Sequence, residues 1–562
     1  MPMNLEELLI ILVAAVAVTT FARKVGWPAP LLVTAVAMAA SFLFVDNVEI
    51  DSGLILTIVL PPLLYSAALD ISFQDFRTSL RQIRRLGIGL VVITALIVGG
   101  VANLLVGDIT LAAALLLGAI VAPPDAVSAA AIGKNLGLPR RVMTVLSGES
   151  LINDAAALTL FALFLGAATA HTAISFGEGA GLLLLNIVVG VGVGLLIAVI
   201  VQLVRMRIKD PLIETVIGLL VPFGAYLLAE QLQGSGVLAV VAAGLYLGYN
   251  APRSSYAMRL QEQPIWASLD VLLEAFVFAL IGLQFKQVLF DTIDSPRGLG
   301  TSLGIAGILL AVTILIRPAY VFFTYYLQQL PWLKQLRQRR GRPEPEMSWR
   351  DLTIISWTGM RGVVTLAAAA SVVANSQLEG KDLIFLTAFV VTIGTLLLQS
   401  LTLPWLIRKL EVTDPDQEER DQQAEQALIS RTFTVAMEQM QPAWQQLSEK
   451  LGPEKAARMM ERVKGTAAAR MAVIRDDDEA AAGDREAPRG PGKHGGGPGL
   501  PSAEMSRHML DIRRRMNEIR RQVLIEERDK GNLDDEVMRA VLLELDTEEF
   551  ALDKSWHSRR SS

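Results

Sequence analysis

The chain has 562 residues, of which 52% are hydrophobic and only 19% charged, with a formal net charge of −5. Soluble chains carry about a quarter of their residues as charges, so this composition points to a membrane protein; the net charge averages an apolar part and a polar tail and does not bear on nucleic acid, which is not an expected partner. Cysteine is absent, which excludes disulfides, thiolate metal sites and cysteine nucleophiles. The four histidines, His171, His494, His508 and His557, fall outside the apolar runs, which excludes an intramembrane Ser-His-Asp hydrolase or a His-ligated metal.

A helix needs about 20 apolar residues to cross a bilayer. In chain order the spans are predicted over 5–22, 28–45, 53–69, 86–106, 110–132, 142–170, 180–204, 211–230, 236–250, 266–285, 301–327, 352–374 and 384–407. The first run opens with Glu6 and Glu7 instead of a basic region and is followed by further runs, so it reads as a span and not as a cleavable signal. With the N-terminus placed outside, the predicted inside loops hold 22 Lys and Arg, and the outside loops only Lys286, Arg297 and Lys381. Basic residues stay on the cytoplasmic side, so the polar stretch 410–562 is expected in the cytoplasm.

Thirteen crossings fit two inverted six-helix repeats around the seventh. The fifth and twelfth spans then correspond, and both are interrupted: Ala122-Pro123-Pro124-Asp125 in one, Thr358-Gly359-Met360-Arg361-Gly362 in the other. Paired interrupted helices at matching repeat positions mark a midplane ion site. The expected fold is therefore an all-α polytopic membrane protein with discontinuous crossing helices and a helical cytoplasmic tail.

Charges inside a membrane are costly and commonly functional. Here they are Asp125, Glu149, Asp154 and Arg317. Ser150 and Asp154, four apart, share a helix face, with Glu149 and Asn153 on the face beside it. Pro124 lacks an amide proton and frees backbone carbonyls. Two carboxylates, a hydroxyl and freed carbonyls make an all-oxygen site that suits a hard cation. Burial and a second carboxylate favour protonation, whereas a bound cation favours ionisation, so proton and cation compete. The bland reading is a structural polar network, and it is the favoured one for Glu149 and Arg317, since a buried acid needs a partner and arginine keeps its proton. Arg361 either balances charge near the break or reaches to water from the span's end. Glu274 reads as a helix-packing residue, and Asp70, Asp210, Glu214, Glu230 and Asp270 as interfacial.

Gly148-Glu149-Ser150-Leu151-Ile152-Asn153-Asp154-Ala155 resembles the signature of the sodium/proton exchanger branch of the monovalent cation:proton antiporter superfamily. Ala122-Pro123-Pro124-Asp125-Ala126-Val127 resembles that family's unwound fifth span, with Pro124 where the family often has threonine, so any contact there is through the backbone carbonyl. Leu60-Pro61-Pro62-Leu63-Leu64-Tyr65, Glu274 eight residues before Gly282, Arg317, and Trp357 through Gly362 are similar to further family positions. The resemblance covers about 1–409 and implies a core of spans 4–6 and 11–13 moving as an elevator across a dimerisation scaffold of spans 1–3 and 7–10. It implies Na+ (or Li+) held at Asp125, Ser150 and Asp154 with the Pro124 carbonyl, Asn153 and Arg361 as structural support, and a Glu149–Arg317 ion pair. An Asn-Asp pair resembles the electroneutral subclass, one cation for one proton. It also implies a homodimer, a bacterial plasma (inner) membrane location, a role in pH and sodium homeostasis, and no cofactor and no enzymatic activity.

In the tail, 410–475 reads as helical and 476–503 as a disordered Gly- and Pro-rich linker. The segment 504–562 reads as a helical hairpin broken at Gly531-Asn532, with an apolar face of Met538, Val541, Leu542 and Leu545. It is either a regulatory module for an unknown partner or a passive assembly element. K+/H+ antiport is the nearest rival, because the same oxygen ligands suit K+ in a slightly larger site. A channel or proton-coupled symporter is more distant, since few polar residues line the spans, and an aspartyl hydrolase built on Asp125 and Asp154 more distant still.

Overall fold

The computed structural model describes residues 5–43, 55–170, 176–208, 210–331, 347–373, 378, 380–414, 416–461, 463, 465, 503–531 and 533–560. The predicted linker 476–503 lies outside these except for its last residue. Two compact units emerge: Met1–Ser254 with Gln261–Pro415, and Ser255–Leu260 with Asp416–Ser562.

The first unit is built of helices, with no strand among its described residues. It begins with α1 (Leu5–Val25), α2 (Ala29–Leu43) and α3 (Leu60–Asp70), the last preceded by a π turn at Ile55–Val59. Next come α4 (Phe73–Arg84), joined through a second π turn to α5 (Val91–Leu105), then α6 (Leu111–Val121), α7 (Ala126–Asn135) and α8 (Arg140–Ala170). The run continues with α9 (Phe176–Arg205), α10 (Pro211–Gln231), α11 (Gly236–Asn250), α12 (Tyr256–Leu283) and α13 (Phe285–Ile293). It closes with α14 (Gly298–Gln329), α15 (Trp349–Trp357), α16 (Val363–Val373) and α17 (Lys381–Leu410).

Among the described residues, eight segments are long and apolar enough to cross a membrane, and shorter apolar helices lie at Ala29–Leu43, Thr57–Asp70, Leu111–Val121 and Val363–Val372. A count of thirteen crossings needs these shorter helices, and α11, to cross as well. Two boundaries differ from the sequence reading. The basic stretch before the fourth span is helix α4, because Ser72 caps it by accepting from the Asp75 amide at 3.2 Å. Helix α12 starts at Tyr256, ten residues before its predicted span, since polar residues lengthen a helix beyond the bilayer without breaking it.

Lipid gives no hydrophobic drive for helices to associate, so small residues that allow close approach do the packing. Gly244 and Gly248, four apart on α11, lie against Tyr65, Ala68 and Leu69 of α3, where an added Cβ would come within 2.7 Å of Ala68 Cβ and of the Leu69 carbonyl oxygen. Gly99 of α5 presses on Leu115 of α6, and Gly118 of α6 presses back on Ala95. The contacts between α5 and α6 press these two helices together, and Val121 and Ala122 at the start of the break are buried.

In the second unit, α18 (Gln417–Gln439) and α19 (Gln441–Leu451) precede α20 (Ala503–Asp529) and α21 (Asp535–Arg560). The turn before α21 has Gly531 at φ +78°, a left-handed conformation that glycine adopts without strain. Met538, Val541 and Leu545 of α21 are buried in one cluster with Leu428 and Ile429 of α18 and Leu524 of α20, and Leu542 is buried as well.

Candidate functional site

Helix α6 starts under a side-chain cap, Thr110 accepting from the Ala113 amide at 3.2 Å. It ends at Val121 because Pro123 and Pro124 supply no amide proton and disfavour helix in the residue before them. Helix α7 then restarts directly after Asp125. Helix α15 starts in a reciprocal capping box between Ser348 and Asp351 and stops at Trp357; α16 restarts after Gly362. The two breaks cross. The Asp125 amide donates to the Met360 carbonyl at 2.6 Å, and Gly362 sits so close to the Asp125 side chain that a Cβ there would collide with it.

A broken helix exposes carbonyls carrying its negative dipole end. Two buried arginines cover these ends. Arg361 donates from Nε to the Val121 carbonyl at 2.7 Å and from Nη1 to the Gly359 carbonyl, while its backbone amide reaches Thr395 Oγ1 at 3.0 Å. Arg361 is 3% exposed, so it balances the break from inside and does not reach to water. Arg317 of α14 donates from Nε to the Ile355 carbonyl at 2.9 Å. Its two terminal nitrogens take both carboxylate oxygens of Glu149, Nη2 to Oε2 at 2.7 Å. This bidentate pair ties α14, α15 and α8 together with both side chains nearly inaccessible.

Asn153 of α8 is fully buried and donates from Nδ2 to the Pro124 carbonyl at 2.5 Å. The carbonyl assigned from sequence to the ion is therefore already taken up by Asn153 on one of its lone pairs. Asp154, one residue on, is 8% exposed. Asp125, Ser150, Asp154 and Pro124 all line one cavity of about 320 Å³. The structure thus brings together these four residues, while Glu149 and Arg317 pair with each other and Arg361 covers the break.

The same cavity has on its wall Asp70 of α3 and Asp270 of α12, which read as interfacial from the sequence, and Glu274 of α12, which read as a packing residue; Ser66 of α3, which the sequence did not single out, joins them. Ser66 Oγ donates to Asp270 Oδ2 at 2.5 Å. Ser66 and Asp70 are spaced four apart, as are Asp270 and Glu274, so each pair presents one helix face; that spacing was the available signal. Five carboxylates line this one cavity, and acidic groups gathered in one cleft favour cations there.

Residues 9–409 match the sequence model of the sodium/hydrogen exchanger transmembrane family. An uncharacterised Na+/H+ exchanger of Mycobacterium tuberculosis strain ATCC 25618 / H37Rv is 33% identical over 408 residues, 71% of this chain and 73% of that protein. The Na+/H+ antiporter ApNhaP of Aphanothece halophytica is 31% identical over 424 residues, 72% of this chain and 75% of that protein. The solved structure of the sodium proton antiporter MjNhaP1 of Methanocaldococcus jannaschii superposes with a TM-score of 0.58 at 20% identity, over 72% of this chain and 97% of that one. The crossed breaks, the acidic cavity and these similarities lead to one conclusion: the chain belongs to the sodium/hydrogen exchanger family of transmembrane antiporters.

Proposed function

We propose that the chain exchanges Na+ (or Li+) for H+ across the plasma membrane, with Asp154 and Asp125 taking either cation or proton. The observation that carries this reading is the crossing of two helix breaks that puts Asp125 on the wall of the cavity holding Asp154. A site of carboxylates and a serine hydroxyl binds a hard cation only when deprotonated. Cation and proton therefore exclude one another at one site, and alternating exposure of that site yields exchange without a separate proton path. The reading extends to a one-for-one stoichiometry and a core of α4–α8 with α14–α17. That core would slide against a dimeric scaffold of α1–α3 and α9–α12, and the segment after α17 would lie in the cytoplasm. The bidentate Glu149–Arg317 pair supports it, because a moving core has to carry its charges already neutralised.

Proteoliposomes with an internal pH dye test the reading. With no Na+ inside and equal pH on both sides, adding Na+ or Li+ outside should alkalinise the lumen as the cation enters and H+ leaves, and K+ should act weakly. Competition further requires the apparent KM for Na+ to rise as pH falls, with the maximal rate unchanged. Proton movement driven best by K+ would move the assignment to K+/H+ antiport, and no movement with any cation from folded protein would end it.

Gly362→Ala tests the crossing itself. A methyl there costs about 1–3 kcal/mol of overpacking and displaces the Asp125 side chain. The variant should remain folded by size-exclusion chromatography while its exchange rate falls well below wild type; an unaltered rate would mean that the close approach at Gly362 has no bearing on the site.

A further inference from the structure

Several buried threonines satisfy their hydroxyls within their own helix. Thr292, Thr313 and Thr395 each donate from Oγ1 to the carbonyl four residues back, at 2.6, 2.7 and 2.8 Å. Thr365 does not. It is the third residue of α16, so the carbonyl four residues back belongs to Arg361 in the break, where the chain is not helical. Thr365 is 1% exposed, and its hydroxyl oxygen has no hydrogen-bond partner among the described residues. A buried polar group left unpaired is destabilising, so an occupant of the neighbouring cavity that pairs with it is favoured.

That cavity is the one holding Asp125, Ser150 and Asp154, and Thr365 lines it with them. Three residues before Thr365, Gly362 packs against the Asp125 side chain. The Asp125 carboxylate therefore lies at the positive end of α16 and offsets it, so a cation is not repelled from this stretch. Other neutral oxygens on the wall are already engaged. Ser66 donates to Asp270, and the Pro124 carbonyl accepts from Asn153, each at 2.5 Å. A hard cation that leaves its water behind takes oxygen ligands from the protein. We propose that Thr365 Oγ1 is a further ligand of the transported cation. It is contributed by the second broken helix, beside Asp125 from the first and Ser150 and Asp154 from α8. The assignment rests on the antiport reading above. The cation supplies the partner that the hydroxyl lacks, so Thr365 favours the loaded site and acts on affinity more than on rate.

Thr365→Val removes the oxygen and keeps the shape, whereas Thr365→Ser keeps the oxygen and drops the methyl. Two readouts are taken on each variant in the full-length chain. One is the KM and maximal rate of Na+-driven proton movement in proteoliposomes. The other is the melting temperature in detergent at alkaline pH, with NaCl titrated against choline chloride; a bound ion raises it by mass action. In choline chloride, Thr365→Val should melt no lower than wild type, because it loses an unpaired hydroxyl. It should need several-fold more Na+ for the same rise in melting temperature. Its Na+ KM should rise several-fold with little change in maximal rate, and Thr365→Ser should stay close to wild type in both assays. An unchanged KM in Thr365→Val, a lowered melting temperature in choline chloride, or a Thr365→Ser as impaired as Thr365→Val overturns the assignment. Melting needs no transport. A wild-type chain that moved no proton would end the antiport reading, and the Na+ requirement of the two variants would still decide whether Thr365 holds the ion.

Discussion

Asp154→Asn should reduce Na+-driven proton movement to that of protein-free liposomes. Replacing one carboxylate oxygen by an amide nitrogen preserves size but turns an acceptor into a donor, and it removes both the negative charge and the proton-binding group. Ser150 and Asp154 are one turn apart on α8, and both face the cavity that Asp125 enters from the break. Removing one carboxylate leaves the cation with half of its neutralising charge, and leaves the proton without one of its two acceptors. Asp125→Asn should have the same effect, whereas Ser150→Ala, which removes a neutral ligand, should raise the Na+ KM and leave exchange measurable. Folding is checked by the elution profile in detergent. An Asp154→Asn protein that still exchanged at the wild-type rate would rule out direct competition at this residue.

The second large effect is on stability. Glu149→Gln or Arg317→Gln breaks a buried pair and strands the other charge, at a cost of about 3–5 kcal/mol. Arg317 also covers the Ile355 carbonyl at the end of α15, so its loss uncaps the second break as well. Both single variants should show a large drop in the midpoint of thermal aggregation in detergent, with Arg317→Gln the worse. Replacing both residues by apolar ones, Glu149→Leu with Arg317→Met, should recover part of the loss, because well-packed apolar side chains often substitute for a buried pair without penalty. A double variant less stable than Arg317→Gln would mean that the pair contributes through its hydrogen bonds to the backbone more than through mutual neutralisation.

Some of this was legible in the chain itself. The apolar runs located helices, since lipid tolerates only internally bonded backbone. Pro123-Pro124 and the glycines at 359 and 362 located the two breaks, because proline lacks an amide proton and glycine permits an interrupted backbone. The four-residue spacing of Ser150 and Asp154 set them on one face. These are local properties of backbone and pattern, and they are written in the sequence.

Partners were not. Arg361 stood between two readings until the fold put it against the Val121 carbonyl, at the end of a helix far away in sequence. Asp270 and Glu274 read as interfacial and packing residues, yet they line the cavity that holds Asp125 and Asp154 because α12 meets α3 there, Ser66 bonding to Asp270. The Pro124 carbonyl was free to serve an ion until Asn153 was found to occupy it on one side. The head of α12 looked like a loop, and belongs instead to the C-terminal unit through Arg259 and Asp546. In each case the deciding contact joins residues tens to hundreds of positions apart. Periodicity and local breakers determined which segments are helices and where they stop. Which charge faces which was decided only when the helices packed, because a buried charge takes its role from its neighbours.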